Sequence, residues 1–492
     1  MILKVRLMGW FAGGSVAMLH NRTASGIGVY ADGRIMIHKN SHQAVAMIDI
    51  SGQIVKPNEI ILSQEAASLI NAKPGDRVKV AKTSHEESIE LIHKKLACAP
   101  LSYEELKKII TDITNNVLVG AEIAYFVSAI YRCGMSLRET VDLTKAMVRT
   151  GQRLHLKKRL IVDKHSVGGI SGRETPIIVS ICAAAGLTMP KTSSRAITSP
   201  AGTADSMEVL CKVSFSPKQL ERIVKKTNAC FVWGGTLGFA PADDKLIRIE
   251  KMLHLDPEPQ LLASIISKKL SVGAKYALID IPYGPSAKVY DKKHALKLKK
   301  KFEIIGKKLG IHIECFLDYE SEPRGNGIGP LLEAIDVVRV LRRESNGYKL
   351  RKLAIKMAGR ILEMAKKAKP GHGEAMAKEI LDSGRAYNKF KEIIKAQGGS
   401  LKNIETLHFR TAKYHNDIFS GKSFVIRKID IKRINQTAII AGCPSSKAAG
   451  IYLYKHLGDK VKKGEKLLTL YAESQSEMKE ALNFYRKAKP IA

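Results

Sequence analysis

The chain has 492 residues, too many for a single hydrophobic core, and its 45% apolar and 26% charged content is that of a folded globular protein. A formal net charge of +34 admits nucleic acid, anionic substrates or a lysine-rich solvated surface. The basic residues run along the whole length, with short clusters at Lys297–Lys301 and Lys366–Lys369 and no aromatic-interleaved stripe, which favours a solvated surface with anionic substrates and disfavours nucleic acid.

Cys98, Cys133, Cys182, Cys211, Cys230, Cys315 and Cys443 are scattered, with no C-x-x-C, so neither a disulfide framework nor a zinc site is expected. A reducing cytoplasm fits that usage. Met1–Arg6 followed by Leu7–Leu19 imitates a signal peptide, but Gly13-Gly14-Ser15 interrupts the apolar run, and a strand–turn–strand is expected instead. No apolar run reaches the roughly 18 residues of a membrane span.

Residues 1–84 read as short β-type runs at Ile2–Leu7, Val29–Tyr30, Arg34–Ile37, Ala44–Ile50 and Arg77–Val80, separated by turns such as Pro74-Gly75-Asp76. The pattern then turns helical. Ser102–Glu105 has the form of a capping box, and Gly120–Tyr131 and Ser136–Thr150 follow with helical periodicity.

Arg159–Leu210 organises the chain. Leu160–Asp163 suits a buried strand, Lys164-His165-Ser166-Val167-Gly168-Gly169 breaks it, and Thr175–Leu187 has the length of a buried helix with Pro176 in its first turn. A glycine turn feeding a helix N-terminus presents free backbone N–H groups to an anion, and Lys164 and Ser166 add a charge and a hydroxyl. The spacing is neither G-x-G-x-x-G nor a Walker sequence, so close packing alone would also explain these glycines. After the strand-like Thr188–Thr192 comes a second loop with Ser193, Ser194, Arg195, Thr198, Ser199 and Thr203, bent by Pro200 and Gly202. In a parallel βαβ unit both loops share one rim, enough for two phosphates.

Lys164–Gly169, Ala183–Gly186 and the loop Ser194–Glu208 resemble the phosphate-binding stretch of the thymidine phosphorylase family. KTSSRAITSPAGTAD is similar to the AMP phosphorylase branch of that family. The match continues at Asp256, at Ser264–Lys269, at Asp280–Lys288 and in GIYLYKHLGDKVKKGE, covering nearly the whole chain. The resemblance implies a multidomain α/β fold. Its parts would be a β-rich N-terminal domain at 1–84, a discontinuous helical domain at 85–160 and 236–272, and a central α/β domain with a mixed sheet at 161–235 and 273–414. A barrel-sandwich-like α+β domain would occupy 415–492. Such a split chain would set the active site between two rigid bodies.

The implied activity is phosphorolysis of AMP, with CMP and UMP as further candidates, by inorganic phosphate to free base and ribose 1,5-bisphosphate. A pyrimidine nucleoside phosphorylase and an anthranilate-type phosphoribosyltransferase are the alternatives. No cofactor or metal is implied, phosphate being a co-substrate, and the expected assembly is a homodimer or larger homo-oligomer in the cytoplasm.

By position in the family, Asp256 would donate a proton to the leaving base, retaining it through burial. Spacing alone would make Asp256 a cap for a helix over Pro257–Lys269. Lys164 and Ser166 are assigned to inorganic phosphate. Gly168, Ser194, Arg195, Ala196, Ile197, Thr198, Ser199, Thr203, Ser264 and Lys288 are assigned to the nucleotide, with Lys288 equally readable as a solvated lysine. Ser264 and Lys268 lie one helical turn apart, on a face that touches the nucleoside in the family. Ile249 stands where the nucleoside enzymes carry a pyrimidine-contacting arginine, which argues against a thymidine-like pocket.

The later segments read as scaffold. Helical periodicity recurs at Ala295–Leu309, Pro330–Glu344, Leu350–Lys367 and Gly373–Gln397, and β character returns at Ser423–Ile429 and Gln436–Ala441. Gly458–Gly464 imitates the turn of a biotinyl or lipoyl carrier, but Gln475–Lys487 looks like a terminal helix, so a structural role without an attached cofactor is favoured.

Overall fold

The computed structural model describes residues 1–9, 12, 14–83, 87–156, 160–168, 170, 172–196, 199–344, 348–400 and 412–492. The chain forms two compact units, Met1–Thr150 with Ala240–Ser264, and Gly151–Phe239 with Ile265–Ala492.

The first unit begins with a closed six-stranded barrel. Ile2–Leu7 lies between Glu59–Leu62, which runs parallel to it, and Arg77–Lys82, which runs antiparallel. Arg34–Lys39 pairs with both His42–Ile50 and Arg77–Lys82 and closes the circle. Closure leaves no edge strand, and alternate residues such as Leu3, Val5, Ile35, Ile37, Val78 and Val80 fill the interior. Val29–Tyr30 is not a strand; it follows the short helix Asn21–Ile27, which ends in a left-handed Gly28.

The helices Glu87–Leu96, Tyr103–Thr114, Gly120–Cys133 and Leu137–Arg149 follow, joined by the returning Pro241–Leu253 around Leu106, Ile110, Phe126, Met147 and Leu246. Ser102 and Ser136 each begin a helix with a complete capping box. Cys98 and Cys133 are joined by a disulfide, their Cα atoms 5.2 Å apart. This corrects the expectation of no pairing. The two cysteines lie 35 residues apart, and packing of the bundle brings them together, which sequence spacing alone does not show.

The second unit is built on parallel strands in the order His312–Tyr319, Tyr276–Tyr283, Val162–Ser166, Met189–Ser193, Ala229–Trp233. A single bridge between Ile161 and Thr188 joins the third to the fourth. Every pair in this sheet is parallel among the described residues, so the expected mixed sheet is corrected. Helices such as Thr175–Ala184 and Pro217–Thr227 return the chain between strands, as parallel pairing requires. Gly327–Ile328 pairs instead with Gly450–Leu453, in a four-stranded antiparallel sheet completed by Lys466–Ala472 and Tyr414–Phe419.

Gln436–Ala441, expected as β, belongs to the helix Ile431–Ile440. Asp430 caps it, and Ile431, Ile434 and Ala438 share its buried face despite their β-prone neighbours. No helix among the described residues is long and apolar enough to cross a membrane.

Candidate active site

Three loops leave the carboxyl rim of the parallel sheet in the second unit. Val162–Ser166 and Met189–Ser193 end at the turn after Ser166 and at the loop opening with Ser194; Tyr276–Tyr283 ends at the loop carrying Lys288. The carboxyl rim is where parallel α/β sheets bind ligands. The structure therefore brings Lys164, Ser166, Gly168, Ser194, Arg195, Ala196, Ser199, Thr203 and Lys288 to one edge. Ile197 and Thr198 lie outside the described residues.

At the turn, Ser166 Oγ accepts the Gly168 N–H at 3.3 Å, and Gly168 adopts a φ of 101° that favours glycine. The helix starts only at Thr175, so the turn does not feed it directly; Glu174 precedes it as a buried carboxylate. Lys164 is completely buried. Its ammonium contacts Glu174 and lies 3.3 Å from Asp280.

That lysine is part of a buried charge network. Asp280 receives a two-pronged contact from Arg324 at 2.7 and 3.1 Å, and Arg324 also reaches Glu320 at 2.6 Å. Alongside, Asp163 pairs with Lys269 and, at 3.7 Å, with Lys191. Lys164, Lys191, Lys269 and Arg324 thus balance Asp163, Glu174, Asp280 and Glu320, all buried. Burial alone would raise Asp280, but Arg324 and then Lys164 hold its carboxyl below the usual carboxylate range. Burial pushes Lys191 down to about 7, with Asp163 opposing.

Half-buried His165 is held well below its ordinary value, first by burial and then by Lys269, Lys191, Lys268 and Lys164. Its Nδ1 has no hydrogen-bond partner among the described residues. Of these groups only Lys164 is assigned a role from the sequence, though Asp163, Lys191 and Asp280 are charges inside apolar strand-like runs, an anomaly that marks buried pairing.

The second loop is a closed ring. Asp205, 1% exposed, accepts the N–H groups of Ala196 at 2.7 Å and Gly202 at 2.9 Å, tying its two ends together. A Cβ on Gly202 would stand 2.5 Å from the Ser194 carbonyl oxygen, so only glycine fits the crossing. Arg195 turns into the protein. Its guanidinium forks onto Glu208 at 2.7 and 2.6 Å, reaches Asp205 at 3.0 Å and stacks 4.7 Å from the Trp233 ring. Lys447 joins them, 3.3 Å from Asp205 and 3.1 Å from Glu208. What the loop offers a ligand is hydroxyls and backbone, with Ser194 exposed and Thr203 half-buried.

In the first unit, Asp256 is exposed, two residues past His254, which closes the preceding helix with a φ of 53°. The expected burial of Asp256 is therefore corrected. At the start of the next helix the Pro257 carbonyl accepts the Leu261 N–H at 3.0 Å. Ser264 is buried and donates to the fully buried Asp243 at 3.0 Å, beside Gln260. Ile249 is buried among the bundle helices. No group of three or more His, Cys, Asp or Glu able to hold a metal occurs among the described residues.

Three family models match stretches of the chain. The glycosyl transferase helical bundle domain matches residues 89–151, the glycosyl transferase α/β domain 158–257, and the pyrimidine nucleoside phosphorylase C-terminal domain 425–492. The chain is thus an enzyme, a glycosyltransferase acting on pentosyl groups.

A protein of Legionella pneumophila (strain Corby) provisionally named a thymidine phosphorylase is 42% identical over 93% of this chain and 88% of its own. An AMP phosphorylase of Methanococcus vannielii is 39% identical over 97% of this chain and 95% of its own. The chain belongs to the thymidine and pyrimidine-nucleoside phosphorylase family, and its reaction class is phosphorolysis. An anthranilate phosphoribosyltransferase of Thermus thermophilus shares the fold, with a TM-score of 0.52 at 17% identity over 63% of this chain and 99% of that one.

Proposed function

We propose that the enzyme splits AMP with inorganic phosphate into adenine and ribose 1,5-bisphosphate, CMP and UMP being further candidate substrates. The observation that carries this reading is the pair of anion-suited loops on one rim, one after Ser166 and one closed by Asp205, with Lys288 on the same edge. A nucleoside needs one phosphate pocket for the nucleophile; a nucleotide needs two. In this reading Ser166 and the turn hold inorganic phosphate, with Lys164 setting the local charge. Gly168, Ser194, Ala196, Ile197, Thr198, Ser199 and Thr203 hold the nucleotide through hydroxyls and backbone, together with Ser264 and Lys288.

A phosphate oxygen bonds to C1′ as the bond from C1′ to N9 breaks, and the electron pair leaves with the base. Asp256 donates its proton to N7, so adenine departs neutral. The reading includes a homodimer or larger homo-oligomer in the cytoplasm.

The test is to follow free base released from AMP, CMP, UMP, adenosine and thymidine with phosphate present. AMP should far exceed adenosine. Equal turnover of AMP and adenosine would remove the case for a second phosphate pocket. The relatives named for thymidine phosphorolysis support a second reading, a pyrimidine nucleoside phosphorylase, which the same panel shows as preferential release of thymine.

A further inference from the structure

We infer that the second unit carries another binding site, for a multiply phosphorylated small molecule, on the rim of the parallel sheet opposite the phosphate loops. This site is independent of the proposed substrate. A cavity of about 690 Å³ opens beside the start of the strand His312–Tyr319. The strand register places His312 beside Tyr276 and Val162 at the amino ends, whereas Ser166 pairs with Asp280 and so lies level with Phe316. The cavity is thus four residues, roughly 13 Å, further back along the strands than the turn.

Its chemistry is cationic. Lys299, Glu303 and Lys307 line it from one face of the helix Lys292–Lys308, with His312, Glu314 and Arg360 opposite. Both carboxylates are already engaged. Glu314 takes Arg360 Nε at 2.6 Å and His312 Nε2 at 3.2 Å, and Glu303 lies 3.7 Å from Lys299. Lys307 has no carboxylate partner among the described residues. The helix as a whole carries eight lysines against one glutamate. A recess of this size accommodates a nucleotide-sized ligand. Lys299, Lys307 and Arg360 outnumber the two carboxylates of the lining, and the unpaired Lys307 ammonium with the fork of Arg360 favours phosphate charges over a carboxylate. A polymer would instead spread along all the lysines of the helix.

The test uses the full-length protein and calorimetric titration with ADP and with pyrophosphate at about 150 mM salt. Two double variants change charge equally: Lys299→Glu with Lys307→Glu at the cavity, and Lys292→Glu with Lys293→Glu at the far end of the same helix. All but Lys299 among these side chains are exposed, and Lys299 is half-buried, so the fold should survive.

The cavity variant should weaken one class of binding by roughly tenfold or more, the far-end variant by less than about twofold. ADP binding more tightly than pyrophosphate would mark a nucleoside-recognising site; equal binding would mark a site for the phosphates alone. Either result supports the inference. Equal weakening by both variants, or tighter binding of a single-stranded oligonucleotide lowered by both, would show diffuse attraction and overturn it. No loss with the cavity variant would also overturn it, leaving all binding at the carboxyl rim and the proposed function untouched.

Discussion

At the scale of single residues, exposure decides what each candidate can do. Asp256 is exposed to solvent, whereas Lys164 is enclosed by Glu174 and Asp280 and its charge is met inside the protein. Asp256→Asn should slow phosphorolysis by roughly 10²–10⁴-fold with little change in nucleotide affinity, as expected for removing a general acid. Steady-state rates paired with equilibrium binding check this; a near-normal rate would assign the proton to another group. Arg195 shows how a basic residue in a hydroxyl-rich loop can be spent inside the protein, because Glu208, Asp205 and Trp233 surround its guanidinium.

Among elements, the loop from Ser194 to Thr203 is the part most dependent on tight geometry. Gly202→Ala places a methyl group against the Ser194 carbonyl and should open the ring. KM for AMP should then rise by roughly tenfold or more while KM for phosphate, bound at the other turn, changes little. A parallel rise in both constants would mean that the two loops form one pocket.

This loop was readable in the sequence as a run of hydroxyls between Pro and Gly, and so were the capping boxes at Ser102 and Ser136. What packs against it was not, because Trp233 and Lys447 come from separate stretches and meet Arg195, Asp205 and Glu208 only in three dimensions. The same limit hid the partnership of Asp163, Lys164, Lys191, Lys269, Asp280 and Arg324. Propensity misled at Gln436–Ala441, where β-branched residues lie in a helix because Ile431, Ile434 and Ala438 pack on its buried face.

Across the whole molecule, buried charge makes stability depend on pH. Burial pushes Glu333 up to about 7 from an ordinary 4.5, with Arg173 opposing. The folded state then holds that proton more tightly than the unfolded chain. Its contribution is fully present below about 4.5 and is lost as pH rises through about 7. Thermal unfolding should therefore show wild-type stability falling across that window by on the order of 2 kcal/mol more than in Glu333→Gln, which cannot titrate. Parallel slopes would mean that Glu333 keeps its ordinary pKa in the fold.

The pairing of Gly327–Ile328 with Gly450–Leu453, and the reach of Lys447 to Asp205 and Glu208, make the tail an integral part of the second unit. Recombination between relatives could not exchange residues beyond 412 as a free cassette. A transplanted tail would arrive without the partner strand and the acidic pair it was shaped against, so these distant stretches are bound to drift together.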